Sequence, residues 1–369
     1  MRASSRHLTA RVSCDVISLV LALASLTQQV DSTRIVTSDI PNFWRAYDLA
    51  AGKDNNEQVR IFRTIYLQPG SPGLRDWMRV RLMNRDTVKA RMIAAGWTAG
   101  RLDSLSRDSL KRAVAPFAEQ SAAEELLRAL RAYPRYYAAV RPTTLSVDTS
   151  SRVTQGIRRG LSKLAGLYPE ARFPNVYFLI GTLSTGGTTA QSGMLIGTEQ
   201  SASDPTTPLD ELPDWAQKNL PTHRFESLVG LVVHEAVHNQ QKPAPAGQQD
   251  NLLRHALSEG IADFLAELAV GPAAVKTPRQ IYGLAHEHEV WVDFQDEMEI
   301  VGDSIISMWM YNGMVPPDKN HGAVDIGYWV GYRIAGAYYA RAKDKRAAVR
   351  ELLELRDPEA ILRASGYAP

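Results

Sequence analysis

Polar interruptions divide this chain into apolar stretches of two kinds. From 43 to 140 the spacing predicts helices, broken at "GKDNNE" and "PGSPG". Within 141–175, "VTQGIRRGLSKLAGLY" continues the helical pattern as an amphipathic segment. The period then changes. "VYFLIG" (176–181) and "MLIGT" (194–198) are short runs of strand formers joined by the loop "TLSTGGTTAQSG", and they read as a hairpin. After a loop rich in Ser, Pro and Asp, "LVVHEAVH" returns to helix and stops at Pro243, Pro245 and Gly247. "DNLLRHALSEGIADFLAELAVGP" predicts another helix, with Asp250 as N-cap and Gly271–Pro272 as its end. "DIGYWVGYRIAGAYY" predicts one more, opened by Asp325, with Gly327, Gly331 and Ala335 at every fourth position for close packing. With neither a repeat nor a linker in view, the expectation is an α+β fold, mostly helical, with a small sheet before the 231–241 helix. One domain would cover 25–369, a helical part over about 40–160 leading into a core over about 161–369.

The chemistry lies in "LVVHEAVHNQQ", residues 231–241. Seating two imidazoles and a carboxylate among Leu231, Val232, Val233 and Val237 costs several kcal/mol unless something satisfies them. His234 and His238 are four apart, so on a helix they lie about 40° from each other and converge on one point. Glu235 lies roughly 100° away, suited to handling a water held at that point rather than to ligating the same ion. This is the H-E-x-x-H arrangement of zinc peptidases. A random chain of this composition contains the pattern on the order of once in 100 tries, so the motif alone does not decide. A third ligand is needed, and Glu259 in the next helix can be that ligand. Asp263, one turn on, is placed to accept the second ring N–H of a ligating histidine. Gly260 would let the two helices approach closely. The subclass with a third histidine is excluded, because Gln241 and Ala244 stand where it needs Gly and His.

"HEAVH" followed by "SEGIADF" resembles the gluzincin signature, in which two histidines and a downstream glutamate bind zinc. A wider similarity covers about 40–369. "NVYFLIGTLSTGGTTAQSGMLIGTE", "YGLAHEHEVW" and "DIGYWVGYRIAGAYY" resemble a bacterial family of predicted zinc-dependent proteases related to gliding-motility lipoproteins. The resemblance implies a zincin-like fold and peptidase activity, and no particular substrate. On this reading Zn2+ sits on His234, His238 and Glu259, and Glu235 moves the proton of an attacking water to the leaving amine. The candidates for the oxyanion donor are Tyr328, Tyr332, Arg333 and His321, although for each of the four a packed aromatic or a surface charge is the more ordinary role. The hairpin either lines the cleft by strand addition to a peptide or protein substrate or, more ordinarily, is a sheet with a flexible loop. The loop at 311–322 would act as a lid. "HEHEV" (286–290) has the wrong spacing for a second metal, and His7, His223 and His255 have no partner pattern. Two alternatives stay open: a catalytically silent, zinc-stabilised binding or envelope-assembly module, and a zinc hydrolase of a non-peptide amide.

Composition narrows the setting. Arg2, Arg6 and Arg11 precede the apolar run Val16–Ala24, whose Ala22-Leu23-Ala24 reads as a cleavage site, so residues 1–24 read as a secretory signal although Asp15 sits at the edge of the run. Export to the periplasm or beyond is the expectation, with a cytoplasmic location as the alternative. Cys14 is the sole cysteine and precedes the apolar run, which places it badly for lipid attachment. With 42 basic and 40 acidic residues the chain offers no electrostatic case for nucleic acid. No later run approaches the roughly 20 apolar residues of a membrane span.

Overall fold

The computed structural model describes residue 30 and residues 32–369, apart from 99, 102–103, 149–150, 223–224, 273–276 and 314–320. The expected signal at 1–24 with Cys14, His7 and His223, and most of the 311–322 loop, lie outside the described residues. The protein is α+β and mostly helical. Four strands form one sheet: β1 (Ile35–Val36), β2 (Asn175–Leu179), β3 (Gly187–Ala190) and β4 (Gly193–Gly197). Their order is β1-β2-β4-β3.

The two apolar runs are not the arms of a hairpin. β2 and β4 run parallel, Val176 opposite Met194 and Phe178 opposite Ile196. The hairpin is β3–β4, with Gly187 opposite Ile196 and Ala190 opposite Gly193. β3 therefore occupies part of what reads as a loop. β2 and β4 are covered on both faces, which explains their unbroken hydrophobicity. β3 is a half-exposed edge strand of Gly, Thr and Ala, so it leaves no apolar trace in the sequence.

Eight helices matter for the site: α1 (Asp39–Ala50), α2 (Arg107–Ala132), α3 (Pro134–Leu145), α4 (Arg152–Leu167), α5 (Leu228–His238), α6 (Leu252–Val270), α7 (Pro278–Ala285) and α8 (Ile326–Arg341). The N-terminal helices share the core with the sheet. Trp44 of α1 donates to Thr144 Oγ1 of α3 at 2.9 Å. Three buried tyrosines donate to carbonyls around the strand ends: Tyr66 to Ile180, Tyr137 to Gly181 and Tyr136 to Glu199, each at 2.7 Å. These bonds satisfy backbone acceptors that burial would otherwise leave costly. Among the described residues no helix is long and apolar enough to cross a membrane.

Caps differ from expectation at two helices. Asn251, not Asp250, caps α6, its side chain accepting from Arg254 N at 3.1 Å. Asp325 precedes α8 in the left-handed region and does not cap it. Its carboxylate accepts from Asn312 N at 2.9 Å, while Asn312 Oδ1 accepts from Asp325 N at 2.7 Å. Gly260 also faces a different partner. An added Cβ there would lie 2.1 Å from the backbone carbon of Gly331, and one on Gly331 would lie 1.8 Å from Ala256 O. The close crossing is thus α6 on α8, not α6 on α5.

Glu199, just after β4, is wholly buried. It accepts from Leu183 N at 3.1 Å through Oε1, while Oε2 has no hydrogen-bond partner. Burial pushes its carboxyl up to about 7. The folded state thus favours the protonated acid: the stabilisation is complete below the unfolded pKa and is lost as pH rises through about 7. Glu199→Gln should gain up to about 3 kcal/mol over the natural chain between about pH 4 and about pH 8. Denaturant titration of both chains across that range reads the gap, and a gap independent of pH would remove the assignment.

Candidate metal centre

α5 buries Leu228, Val232, Val233, Ala236 and Val237 and turns His234 and His238 to its remaining face. The two Nε2 atoms stand 3.0 Å apart. Glu259 Oε2, from α6, lies 3.1 Å from His238 Nε2 and 3.3 Å from His234 Nε2. Three donor atoms from two helices thus face one another, as the spacing predicts.

Each of the three side chains is held from behind. Asp263 Oδ1 lies 2.9 Å from His234 Nδ1; an ionised carboxylate only accepts, so Nδ1 donates and Nε2 is the nitrogen that faces the cluster. Asp263 Oδ2 accepts from Arg279 Nη2 at 2.8 Å. Gln241 donates through Nε2 to Ser258 O at 2.6 Å, which turns Oε1 toward His238 Nδ1 at 2.8 Å. The Tyr311 hydroxyl donates to Glu259 Oε1 at 3.0 Å, leaving Oε2 for the cluster. Three acceptor atoms in contact repel unless a proton or a metal ion is held among them. Burial alone would lower His234, yet the bonds to Asp263 and Glu259 outweigh it and push it up to about 10. Burial would raise Glu259, but the imidazoles hold it far below the carboxylate range.

The residues present fit zinc. A tetrahedral ion with ligands at about 2.0–2.1 Å separates them by about 3.3 Å, close to the three distances found here. If zinc binds here, Asp263→Asn should weaken its binding by about 10–100-fold, because the negative charge facing His234 and Arg279 is lost and asparagine keeps one acceptor oxygen where Asp263 uses two. Competition against a chromophoric chelator measures this. Unchanged affinity would deny Asp263 its orienting role.

Glu235 is buried beside the triad, and burial raises its pKa. Its carboxylate packs on the edge strand: a Cβ on Gly187 would come within 2.8 Å of Glu235 Oε1. Glycine at 187 therefore makes room for the acid. Both residues, with His234 and Tyr328, line one cleft of about 740 Å³.

The four oxyanion candidates separate. The Tyr328 ring lies parallel to His234 at 6.5 Å, with the Arg279 guanidinium 4.6 Å above it. Tyr332 is not at the site, since its hydroxyl bonds Glu267 and its ring packs on Phe264. Arg333 pairs with Glu287 at 2.9 Å, and His321 stacks on Trp309 at 3.8 Å. His286 and His288 bond Glu289 and the Pro369 carbonyl, away from the triad. Sequence reasoning missed Gln241, Arg279 and Tyr311 as supports. Gln241 carried a signal, lying one turn after His238; the other two carried none.

Residues 110–369 match the family described as Gliding motility protein GldB, well over half of the chain. The chain belongs to the GldB family. No curated protein and no solved structure matches it. The GldB match contains the whole triad together with Glu235, Asp263, Gln241, Arg279 and Tyr311, and begins inside α2.

Proposed function

We propose that this member of the GldB family is a zinc-dependent hydrolase of peptide bonds with a zincin-like core, acting at the cell envelope. The observation that carries the reading is the convergence of His234 Nε2, His238 Nε2 and Glu259 Oε2 to within 3.0–3.3 Å, with Glu235 alongside in a cleft. Zinc bound to these atoms supplies Lewis acidity, acidifying an attacking water and polarising the scissile carbonyl. Glu235 takes the proton onto its carboxylate and hands it to the departing amine. Tyr328, on the cleft wall beside His234, is the phenol available to the developing oxyanion. The free side of β3 can pair with an extended substrate next to Glu235. The envelope location rests on the family, one of gliding-motility lipoproteins.

The same family description favours a second reading, a zinc-stabilised assembly module without turnover. Such a module needs the triad but not Glu235. Metal analysis of the purified full chain, with hydrolysis of a quenched peptide library, tests the proposal. One zinc per chain, lost in His234→Ala, with cleavage abolished by a chelator and restored by zinc, is expected. Zinc without cleavage would move the assignment to the assembly module, and a zinc-free chain would end both readings.

A further inference from the structure

The cleft beside Glu235 has a cationic wall. α4 carries Arg152, Arg159 and Lys163 along one face, all three exposed and all lining the cleft that holds His234 and Glu235. Gly156 and Gly160 lie between them and let α4 close on its neighbours: a Cβ on Gly160 would meet Val270 at 2.6 Å and Val233 at 2.7 Å. A fourth cation stands at the edge strand, where Arg81 Nη2 lies 3.4 Å from Thr188 Oγ1, near enough for its charge to be felt at Glu235. The acids sharing the cleft are mostly committed. Asp263 bonds His234 and Arg279, and Asp325 bonds the Asn312 backbone, which leaves Glu235 itself, and Glu226 on the rim.

The spacing of the cations has a counterpart in extended peptide. From Arg152 to Lys163 the helix rises about 16 Å, the reach of about five strand residues. Arg159 and Lys163, one turn apart, are separated by about 6 Å along the axis, and side chains on one face of a strand repeat every 6–7 Å or so. Arg159 and Lys163 line the same cleft as Gly187 of β3, so an extended peptide in that cleft with carboxylates at alternate positions matches the spacing of these two cations.

We propose that the cleft selects an extended acidic peptide with carboxylates at alternate positions, and that Arg159 and Lys163 are the residues that select it. This deepens the peptidase reading and rests on it. The test is fluorescence anisotropy on the full-length Glu235→Gln chain, which cannot cut the probe. The probes are a fluorescein-labelled hexapeptide with aspartate at two alternate positions and its asparagine counterpart. Two partly exposed ion pairs give the aspartate peptide an advantage of about tenfold, shrinking as salt is added. Adding Arg159→Gln and Lys163→Gln together should erase the advantage with no change in melting temperature, since both side chains are exposed. Equal affinity for the two peptides, no binding of either, or an advantage that survives the double substitution would each overturn the proposal. The two readings fail separately. Charge preference in binding, with neither peptide cut by the natural chain, would sink the peptidase alone; equal cutting and equal binding of both would sink the acidic selection alone.

Discussion

Glu235→Gln should leave the chain folded and loaded with zinc while lowering peptide hydrolysis by about 10²–10⁴-fold or more, the usual contribution of a general base. Glutamine has the same shape, so the packing of this side chain on Gly187 is preserved. It removes a carboxylate from a buried site, which does not destabilise the fold by itself. The triad is untouched, because none of its contacts passes through Glu235. The loss should fall on kcat and leave KM nearly unchanged, since glutamine can still occupy the cleft but cannot take a proton. Such a loss corresponds to about 3–5 kcal/mol of transition-state stabilisation. Metal content and steady-state kinetics on the same preparation decide the matter. A zinc-loaded Glu235→Gln chain that still turns over at the natural rate would deny Glu235 the role of base.

The second large effect is on stability. Gly260→Ala adds a methyl 2.1 Å from the Gly331 backbone, and backbone cannot rotate aside as a side chain can. α6 and α8 would have to separate, opening contacts along a crossing in which Ala256, Leu257, Ile334 and Ala335 are all buried. Overpacking of this kind costs about 3 kcal/mol or more, outweighing the roughly 1 kcal/mol that alanine gains over glycine inside a helix. Gly336→Ala is the matched control. It lies on α8 too, but its added methyl would sit 3.6 Å from Phe264, an ordinary contact, so that variant should be neutral or slightly stabilising. Thermal melts of the two variants against the natural chain give the comparison. Equal behaviour of both would show that the α6–α8 crossing yields easily. Because Glu259 adjoins Gly260, the Gly260→Ala chain should also bind zinc more weakly.

Much of the centre was legible because it is local. Helix geometry alone brings His234 and His238 together, and the return of a second helix with Glu259 and Asp263 one turn apart places both acids near them. Tyr332 misled for the complementary reason: it shares a helix face with Tyr328, but one turn, about 5.4 Å, carries it past the triad to Glu267. Tyr311 and Arg279 reach the centre from a loop and a short helix, and such contacts are made by tertiary packing, which periodicity does not encode. The sheet was legible as two apolar runs but not as a topology. Nothing in "VYFLIG" or "MLIGT" states whether the runs pair parallel or antiparallel, and the polar residues of β3 mimic a loop. Gly260 announced a close approach without naming its partner, since a missing side chain carries no address.

The edge strand β3 has a bearing on how these molecules behave in a crowd. An open sheet edge is a template on which further chains can stack, and folded proteins blunt such edges to avoid aggregation. β3 is only four residues long, has no large apolar side chain, and carries the Arg81 cation at Thr188. A short, hydrophilic, charged edge gives a second copy of the chain little to hold, so β3 can stay uncovered without making the protein sticky.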